Sequence, residues 1–391
     1  MQNNQKIPEG WSVKKGKDIA SLITKGASPK WQGFEYCDSG TLFVTSENVR
    51  DGFLDISNPK FLPSAFSEKQ KRSILKNGDI LINIVGASIG RSCLYNRDIP
   101  ANINQAVCLF RCNSLVHNLY TLLYLSLPKT IRTLLETQTE SARPNLSLTD
   151  ISLLNFLLPP LAEQEKIAEI LGTWDEAIEK LSSLIEQKKL LKKGLMQKLL
   201  TGKVRLPGFT QPWKEVKLGE LIKQKRIVIE KGKSLTSENI VEGAIPVIAG
   251  GKTSPYSHNK FTHNKPCITI SASGAYAGYV WKHITPIWAS DCNVLYGTDY
   301  DTNFLGCCLE YKQQQIYQLQ TGGAQPHVYA TDIKIITVPN INITEQQAIA
   351  DVLSTADGEI DLLNKKLEAL KEQKKCLMQQ LLTGQTRVKV N

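Results

Sequence analysis

The 391-residue sequence predicts a fold of mixed helices and strands, α/β in the broad sense (α+β), in which two similar globular domains are joined by two long helices. Three observations lead to this prediction. The chain contains one long helical segment twice, a stretch of short β-prone runs precedes each copy, and both copies pass from acidic to basic along their length. We expect the two helices to pair as an antiparallel coiled coil.

These observations divide the chain into four parts. At roughly 100–200 residues per domain, the length allows two or three domains. We predict a first globular domain, called the first head, and a second one, called the second head, each followed by a long helix. The predicted bounds are 1–160 for the first head, 161–205 for the first helix, 206–342 for the second head and 343–391 for the second helix.

The helical repeat is the strongest feature of the sequence. "LMQKLLTGKVRL" begins at Leu195 and "LMQQLLTGQTRV" begins at Leu377, an offset of 182 residues. At the same offset Glu163-Gln164 matches Glu345-Gln346, and about half of the positions from Glu163 to Arg205 are identical. Such agreement over a fixed offset indicates an internal duplication.

Each copy has the periodicity of one long helix. Apolar residues step by threes and fours through both copies, which is typical of a coiled-coil seam. Lys374 interrupts the seam in the second copy, and Lys188 and Lys192 interrupt it in the first, where Leu184 and Leu191 would shift the apolar stripe.

The ends of both helices carry recognisable capping residues. Thr344 followed by Gln347 resembles a capping box at the start of the second helix. Gly202 and Gly384 stand where a left-handed residue ends a helix. At 1.5 Å per residue, a helix of nearly 40 residues is on the order of 60 Å long.

Charge favours antiparallel pairing of the two helices. The early halves are acidic and the late halves are basic, a pattern that partly complements each helix dipole. Antiparallel pairing sets each acidic half against a basic half, whereas parallel pairing would set like charges together. The alternative is that each helix packs separately on its own domain.

The two heads share a pattern of short apolar runs separated by Gly, Asn and Asp turns, which predicts strands. "GASIGRSCLY" in the first head aligns with "SGAYAGYVW" in the second, which sets Gly86 and Gly90 against Gly274 and Gly278. The heads have diverged while the helices have stayed alike. This contrast favours a shared scaffold whose two heads recognise different things.

Composition excludes several classes of protein. The N-terminus lacks the features of a signal peptide and no apolar run approaches the roughly 20 residues that span a bilayer, so we expect a cytoplasmic protein without membrane contact. Nine scattered cysteines, with no paired CxxC motif, favour free thiols over disulfides or zinc. A net charge of +10 and a pI near 9.0 are compatible with a polyanion as partner.

Motifs for catalysis are missing from the sequence. Pro159-Pro160 lacks the flanking residues of an adenine methyltransferase loop, and no Gly-x-Gly occurs. Gly251-Lys252-Thr253 resembles the end of a phosphate loop, but Pro246 occupies the position of its first glycine. We therefore expect a chain that is not an enzyme. The alternatives are a DNA methyltransferase or nuclease with an unrecognised active site, and a coiled-coil scaffold that does not bind DNA.

The order of heads and repeated helices resembles the specificity subunits of type I restriction–modification systems. The resemblance covers essentially the whole chain. It is carried by "LPPLAEQEKIAEIL", "LMQKLLTG", "ITEQQAIADVL" and "LMQQLLTG" in the helices, and by "NGDILINIVGASIGR" and "ITISASGAYAGYV" in the heads.

The resemblance implies that each head is a target-recognition domain with a twisted β-sheet that reads one half of a split, asymmetric site in double-stranded DNA. The helices would be a spacer and would bind two methyltransferase subunits, which recruit two restriction subunits. S-adenosylmethionine, ATP and Mg²⁺ would belong to those partners, so this chain would bind no cofactor and no metal. Antiparallel helices would relate the heads by a pseudo-twofold axis, as the halves of a duplex site are related.

Basic residues near glycine-rich turns are the candidates for DNA contact, since Arg suits guanine and Lys suits phosphate, and Tyr256 near Lys252 could pack on a sugar or base. We expect about half of them to touch DNA. The candidates are Lys25, Lys30, Arg50, Arg91 and Arg143 in the first head, and Lys225, Arg226, Lys231, Lys252, Tyr256 and Lys260 in the second. The outward faces of the helices are the candidates for partner contact; Trp174 lies on the seam, where packing is the alternative.

Overall fold

The computed structural model describes residues 7–136, 145–254 and 256–390. The chain forms two compact units: unit 1 comprises Met1–Lys180 and Leu367–Asn391, and unit 2 comprises Leu181–Lys366. Each unit therefore contains one head together with part of each long helix. The predicted mixed fold of helices and sheets is confirmed, whereas the predicted domain bounds remain a prediction.

The described part of the first head forms nine strands. They are β1 (Ser12–Lys15), β2 (Ala20–Lys25), β3 (Thr41–Val44), β4 (Phe61–Leu62), β5 (Asp79–Asn83), β6 (Ser92–Tyr95), β7 (Ala101–Ile103), β8 (Val107–Cys112) and β9 (Asn155–Leu158). They build a four-stranded sheet in the order β2-β8-β5-β6, a three-stranded sheet in the order β4-β3-β7 and the pair β1-β9.

The described part of the second head also forms nine strands. They are β10 (Lys214–Lys217), β11 (Ile227–Lys231), β12 (Ile245–Ile248), β13 (Tyr256–His258), β14 (Cys267–Ser271), β15 (Val280–His283), β16 (Trp288–Ala289), β17 (Cys292–Gly297) and β18 (Thr337–Asn340). Their sheets have the orders β11-β17-β14-β15, β13-β12-β16 and β10-β18. Strand by strand, this is the topology of the first head.

The described residues also form α-helices. They are α1 (Gly16–Ile19), α2 (Ser64–Lys69), α3 (Asn118–Leu125), α4 (Pro128–Glu136), α5 (Leu148–Leu153), α6 (Leu161–Leu199), α7 (Leu218–Lys223), α8 (Thr302–Tyr311), α9 (Gln313–Tyr317), α10 (Ala330–Ile333) and α11 (Ile343–Leu382). The two repeated segments thus form single helices of 39 and 40 residues.

The antiparallel direction of the long helices is visible within unit 1. Ile167 and Leu171, near the start of α6, share a buried core with Leu381 and Leu382, at the end of α11. Lys374 of α11 lies 2.5 Å from Asp175 of α6, so the basic residue that interrupts the seam meets an acid. The start of one helix therefore packs against the end of the other.

A buried carboxylate fixes this arrangement. Glu163, only 3% exposed, accepts two hydrogen bonds at 2.7 and 2.8 Å from the guanidinium of Arg387 and a third, at 3.2 Å, from the indole of Trp11. The guanidinium also lies 5.6 Å from the centroid of the Trp11 ring. A buried carboxylate needs a charged partner, which Arg387 supplies. The junction therefore joins the head to the start of α6 and to the segment that follows α11.

Unit 2 repeats the same junction. Glu345, 2% exposed, accepts hydrogen bonds at 2.7 and 2.9 Å from Arg205, and the Trp213 indole lies 3.3 Å from one of its oxygens. Met196 and Leu199, near the end of α6, share a core with the start of α11. The sequence identifies the repeated glutamates, but we did not predict that each would pair with the arginine of the other copy. The equal spacing of Glu and Arg in the two copies was a visible signal.

The helix ends confirm one capping prediction and correct another. Gly202 and Gly384 have φ of 69° and 72°, the left-handed conformation predicted at these stops. The proposed capping box of Thr344 is wrong, because α11 begins one residue before it. The Asn342 side chain accepts hydrogen bonds from the backbone amide and hydroxyl of Thr344 instead.

The lysines of the first seam also find acidic partners. Lys188 lies 2.6 Å from Glu359, and Lys192 lies 2.5 Å from Asp357, both within unit 2. Leu184 and Leu191 are 38% and 58% exposed, so the apolar stripe does not shift onto them as predicted. These ion pairs keep Lys188 and Lys192 on the seam. The period of the apolar residues does not reveal such pairs.

All nine cysteines have free thiols. Burial raises the pKa of Cys93 and Cys292 to about 12, so both thiols stay protonated at neutral pH. Within the described ranges, no three or more His, Cys, Asp or Glu side chains cluster in a way that could hold a metal ion. Among those same residues, no helix combines the length and apolarity needed to cross a membrane.

Candidate nucleic-acid interface

In the first head, several chain segments meet at one edge of the sheets. Strands β2 and β5 end at this edge, while β6 and β8 begin there, because neighbours in the four-stranded sheet are antiparallel. The end of β3 joins them, since the Asn104 amide bonds to the Val44 carbonyl and the Gly26 amide bonds to the Asn104 carbonyl. We call this the loop edge, because the connecting loops converge on it.

The second head has the same loop edge. There β11 and β14 end, β15 and β17 begin, and β12 ends beside the parallel strand β16. Lys25 pairs with Cys108 in the first head, and Lys231 pairs with Asn293 in the second, so these two lysines occupy equivalent positions. Both are exposed and both precede a glycine.

The backbone requires those glycines. A Cβ at Gly26 would lie 1.7 Å from the Ile103 carbonyl oxygen, and one at Gly232 would lie 2.1 Å from that of Ser290. Neither space admits a side chain. The repeated Lys-Gly pair therefore holds a lysine at the loop edge while the chain passes close to the neighbouring strand.

A polar side chain at the end of the central strand ties the loops together in the first head. Asn83 ends β5 and is fully buried; its amide nitrogen donates to the Ser46 carbonyl at 2.9 Å and to the Ser88 hydroxyl at 3.2 Å. This links the loop after β3 to the loop after β5. The Gly52 amide adds a bond to the Ser92 carbonyl.

Ser271 has the corresponding position in the second head. Its hydroxyl lies 2.9 Å from the Gly250 carbonyl and 3.2 Å from that of Ser273, so it joins the loop after β12 to the loop after β14. The Ser273 hydroxyl in turn bonds to Asp291. In both heads the loop edge is therefore held by internal hydrogen bonds.

These bonds bring two predicted residues of the first head together. Arg50 lies in the loop after β3 and Arg91 in the loop after β5; both are partly exposed. Each faces an acid: Arg50 lies 3.5 Å from Asp55, and Arg91 lies 3.9 Å from Asp51. Hydrogen bonds from Ser57, with a smaller effect from Arg50, hold the pKa of Asp55 below its ordinary value, so that acid is ionised at neutral pH.

Lys252 lies in the loop after β12, which corresponds to the loop of Arg50 in the first head, but its neighbours are different. Its ammonium lies 4.8 Å from the centroid of the Tyr276 ring and 5.6 Å from that of Tyr279. Tyr256, the predicted neighbour, begins β13 beside the end of β12 and is 55% exposed. Both predicted residues thus lie at the loop edge, and the rings that hold the lysine come from the loop after β14.

Other predicted residues lie elsewhere. Lys225 and Arg226 precede β11, at the opposite end of the strand from Lys231, which is about 17 Å away at 3.3 Å per residue. The Arg226 guanidinium bonds to Asn340 and to the Asp299 carbonyl and lies 5.7 Å from the Tyr300 ring centroid. Its contacts are therefore structural within the second head.

Of the remaining candidates, Lys260 also lies away from the loop edge. Lys260 is exposed beyond the end of β13, which lies beside the start of β12. Lys30 is exposed in a short 3-10 turn that Lys69 of the first head contacts through the Gln32 carbonyl. Arg143 lies outside the described residues.

Sequence reasoning missed the aromatic residues of the second loop edge. Tyr276 and Tyr279 flank Gly278 in the aligned glycine motif, and the Tyr329 ring stacks on that of His327 with centroids 6.0 Å apart. The Gly274 amide bonds to the Pro326 carbonyl, which brings this segment to the same edge. The alignment of the two motifs could have identified these tyrosines, because Tyr279 stands at the position of the candidate Arg91 and Tyr276 at that of Ser88.

A family model described as "Type I restriction modification DNA specificity domain" matches residues 8–187 and 210–372. Two curated relatives come from Methanocaldococcus jannaschii. A putative type I restriction enzyme MjaX specificity subunit is 27% identical, with 98% of this chain and 95% of the relative covered. The type I restriction enzyme MjaVIII specificity subunit is 25% identical over the same shares of the two chains.

Solved structures resemble this fold over nearly its whole length. The crystal structure of a type I restriction–modification system S subunit from M. genitalium has a TM-score of 0.66 at 18% identity, covering 97% of this chain and 98% of that one. A structure from a study of complex assembly and conformational transition of the type I R-M system has a TM-score of 0.57 at 17% identity, covering 97% and 100%. At these identities the likeness shows the fold alone.

Proposed function

This chain belongs to the type I restriction–modification DNA specificity family, and we propose that it reads a split, asymmetric site in double-stranded DNA, one half with each head. Its two family matches correspond to two heads of one topology. Because the heads share a framework but differ in their exposed side chains, two different half-sites are expected.

The observation that carries this proposal is the pair of loop edges. Each edge carries cationic side chains, is held by a buried polar residue, and presents a lysine from an equivalent strand end. Lysine positions phosphate, whereas arginine and shaped apolar surfaces discriminate bases. Such an edge is suited to the groove and backbone of a duplex.

We assign DNA contact to the predicted residues at these edges. They are Lys25, Arg50 and Arg91 in the first head and Lys231, Lys252 and Tyr256 in the second. We do not assign DNA contact to Lys225, Arg226 and Lys260, which lie away from these edges, and for Lys30 it remains a prediction from the sequence. For Arg143, which lies outside the described residues, DNA contact remains a prediction from the sequence.

We also propose that the chain itself is not catalytic and binds no cofactor. Two methyltransferase subunits and two restriction subunits would supply the chemistry and hold S-adenosylmethionine, ATP and Mg²⁺. This rests on the family and on the missing catalytic motifs. The long helices would set the distance between the half-sites.

The outward surface of the helices supports a partner role. Leu184, Leu190 and Leu191 of α6 and Leu362 of α11 are exposed, whereas most leucines of the two helices are buried or half-buried. Contiguous exposed apolar side chains are typical of docking surfaces, and Leu190 and Leu191 are adjacent, with Leu184 about two helical turns before Leu191. We propose that methyltransferase subunits bind here. Trp174, whose counterpart is Ala356, is half-buried and is assigned to packing rather than to this surface.

The test is the pattern of DNA methylation in the host. We expect a split N6-methyladenine motif that disappears when the gene is deleted and returns with the gene supplied from a plasmid. Replacing the second head with that of a related protein should change only one half of the motif. A change in both halves would contradict one head per half-site.

A DNA methyltransferase or nuclease with an unrecognised site is the alternative that the family does not favour. It requires activity from the purified chain alone. Incubating this chain with duplex DNA and either labelled S-adenosylmethionine or Mg²⁺ should give neither methylation nor cleavage. Activity in the absence of partner subunits would support the alternative.

A further inference from the structure

The loops after β5 and β14 have the same backbone in the two heads. The first runs between Gly86 and Gly90, with φ of 80° and 86°, and the second runs between Gly274 and Gly278, with φ of 86° at both. Positive φ at both ends favours glycine and fixes the direction of the intervening residues. Side chains at equivalent positions of the loops can therefore be compared directly.

The side chains on this common frame differ in chemistry. The first loop has Ser88, which bonds to Asn83, and is followed by Arg91. At the same positions the second loop has Tyr276, 44% exposed, and Tyr279, half-buried. The change is from a hydroxyl and a guanidinium to two phenols.

Each of these loops also contacts a second loop, the one after β3 in the first head and the one after β12 in the second. In the first head Arg91 approaches Asp51, and in the second head both tyrosine rings lie under the Lys252 ammonium. A cation held over two rings loses much of its side-chain freedom before any ligand binds. The second loop edge is thus a preformed surface of two phenols and one ammonium.

We infer that the glycine-bounded loop is the base-reading element of each head, with Arg91 setting the first half-site and Tyr276, Tyr279 and Lys252 setting the second. This inference rests on the proposed function and assigns the specificity-determining residues within it. Arginine bonds to guanine through two parallel hydrogen bonds, whereas ring edges contact the thymine methyl and phenol hydroxyls bond to base edges. The two halves of the site are then read by different chemistry.

The experiment moves the first loop's side chains onto the second loop. A host allele encoding Tyr276→Ser and Tyr279→Arg keeps both glycines, and the methylated motif is determined by sequencing the genome. The expected result is an altered or relaxed base position in the second half-site, with roughly a tenfold loss of discrimination there and an unchanged first half. Arg91→Tyr should relax only the first half.

A matched control uses an exposed cation of the same head away from the loop edge. Lys260→Ala should leave both halves unchanged, whereas Lys252→Ala should relax the second half. If the double tyrosine variant specifies the wild-type motif in both halves, the inference is wrong while the proposed function stands. If the wild-type chain specifies no split motif, the proposed function itself fails.

Loss of all methylation by the double variant is resolved with a milder change. Tyr279→Phe keeps the ring under Lys252 and removes one hydroxyl. Relaxation of the second half-site in this variant supports the assignment. An unchanged motif in Tyr279→Phe, together with no methylation in the double variant, would show that the loop is needed for folding rather than for base reading and would overturn the inference.

Discussion

Unit 1 and unit 2 have the same strand order in every sheet, yet they bury different charges. In unit 1, Arg111 of β8 bonds to Asp79 of β5 through two contacts of 2.7 Å. The strand registers place Tyr296 and Cys267 at the corresponding positions of unit 2. One head therefore has an ion pair where the other has two uncharged side chains.

The converse holds for a larger cluster in unit 2. Lys282 of β15 lies 2.8 Å from Glu310 and 2.7 Å from Asp357, and Lys192 joins both acids. Burial alone would lower the pKa of Lys282, but Cys307, Glu310 and Asp357 together hold it above the ordinary lysine value. Leu94 and Ser126 occupy the positions of Lys282 and Glu310 in unit 1.

The difference shows which contacts the framework requires. The junction of Trp, Glu and Arg, the buried Gln164 and Gln346 and the left-handed helix stops occur in both units. The Asp79–Arg111 pair inside the first head and the Lys282 cluster, which links the second head to both long helices, occur in only one unit each. The Trp-Glu-Arg junction is thus shared by the two units, while each unit adds ion pairs of its own, including the bonds of Lys282 and Glu310 to the helices in unit 2.

The largest effect is expected at the shared junction. Glu345→Ala leaves the Arg205 guanidinium without its carboxylate, and breaking such a pair costs about 4 kcal/mol of unfolding free energy. Glu163→Ala should cost less, because Arg387 is 43% exposed and Arg205 only 24%. Hydrogen exchange of the full chain, followed by mass spectrometry, measures opening of each unit. If the two variants lose the same unfolding free energy, the burial of the arginine does not determine the cost.

Breaking the Lys282 cluster of unit 2 should cost less unfolding free energy than breaking the junction. Lys282→Leu introduces the residue of the first head and leaves Glu310 and Asp357 to share Lys192, at a cost of about 2 kcal/mol in unit 2. The double variant Lys282→Leu with Glu310→Ser should be more stable than the single one, since it also removes an acid. If the double variant is the less stable of the two in the same exchange experiment, the comparison between the heads fails.

Acid should weaken unit 2 through a buried histidine. Burial, and then the charge of His263, lowers the pKa of His283 from 6.5 to about 4, while its Nε2 lies 2.8 Å from the Thr269 hydroxyl. Between these pKa values the unfolded chain binds the proton and the folded chain does not, so stability falls as pH decreases through this window.

From pH 7 to 5.5 we expect a loss of about 1 kcal/mol in unit 2. His283→Gln should remove most of this pH dependence. Its counterpart in unit 1 is Tyr95, which does not titrate in that range. Urea unfolding at the two pH values, with wild type and variant compared, provides the measurement. An equal loss in both proteins would assign the effect to another group.

The smallest effect concerns the first loop edge. Asp51→Asn removes the exposed acid beside Arg91 and should strengthen binding to a duplex of unrelated sequence by about two- to threefold at low salt. Glu165→Gln, on α6, changes the net charge equally and serves as the control. Fluorescence anisotropy at two salt concentrations measures both. A similar gain from both variants would indicate net charge alone.

Part of the candidate site followed from sequence and part did not. Lys25, Lys231, Arg50, Arg91 and Lys252 stood beside glycine turns, and the structure brings each to a loop edge. Lys225 and Arg226 had the same local appearance, but β11 carries them to its opposite end. Spacing from a glycine indicates a turn, whereas the end of the sheet at which that turn lies depends on strand pairing.

The sequence by itself determined the duplication, the two long helices, their left-handed stops and their antiparallel direction. These are properties of periodicity and charge order, which are local or repeat at a fixed offset. The tertiary structure decided the crossed Glu163–Arg387 and Glu345–Arg205 pairs, the ion clusters and the tyrosines under Lys252. Such contacts join residues far apart in the chain, and their energies depend on burial, which no short stretch of sequence specifies.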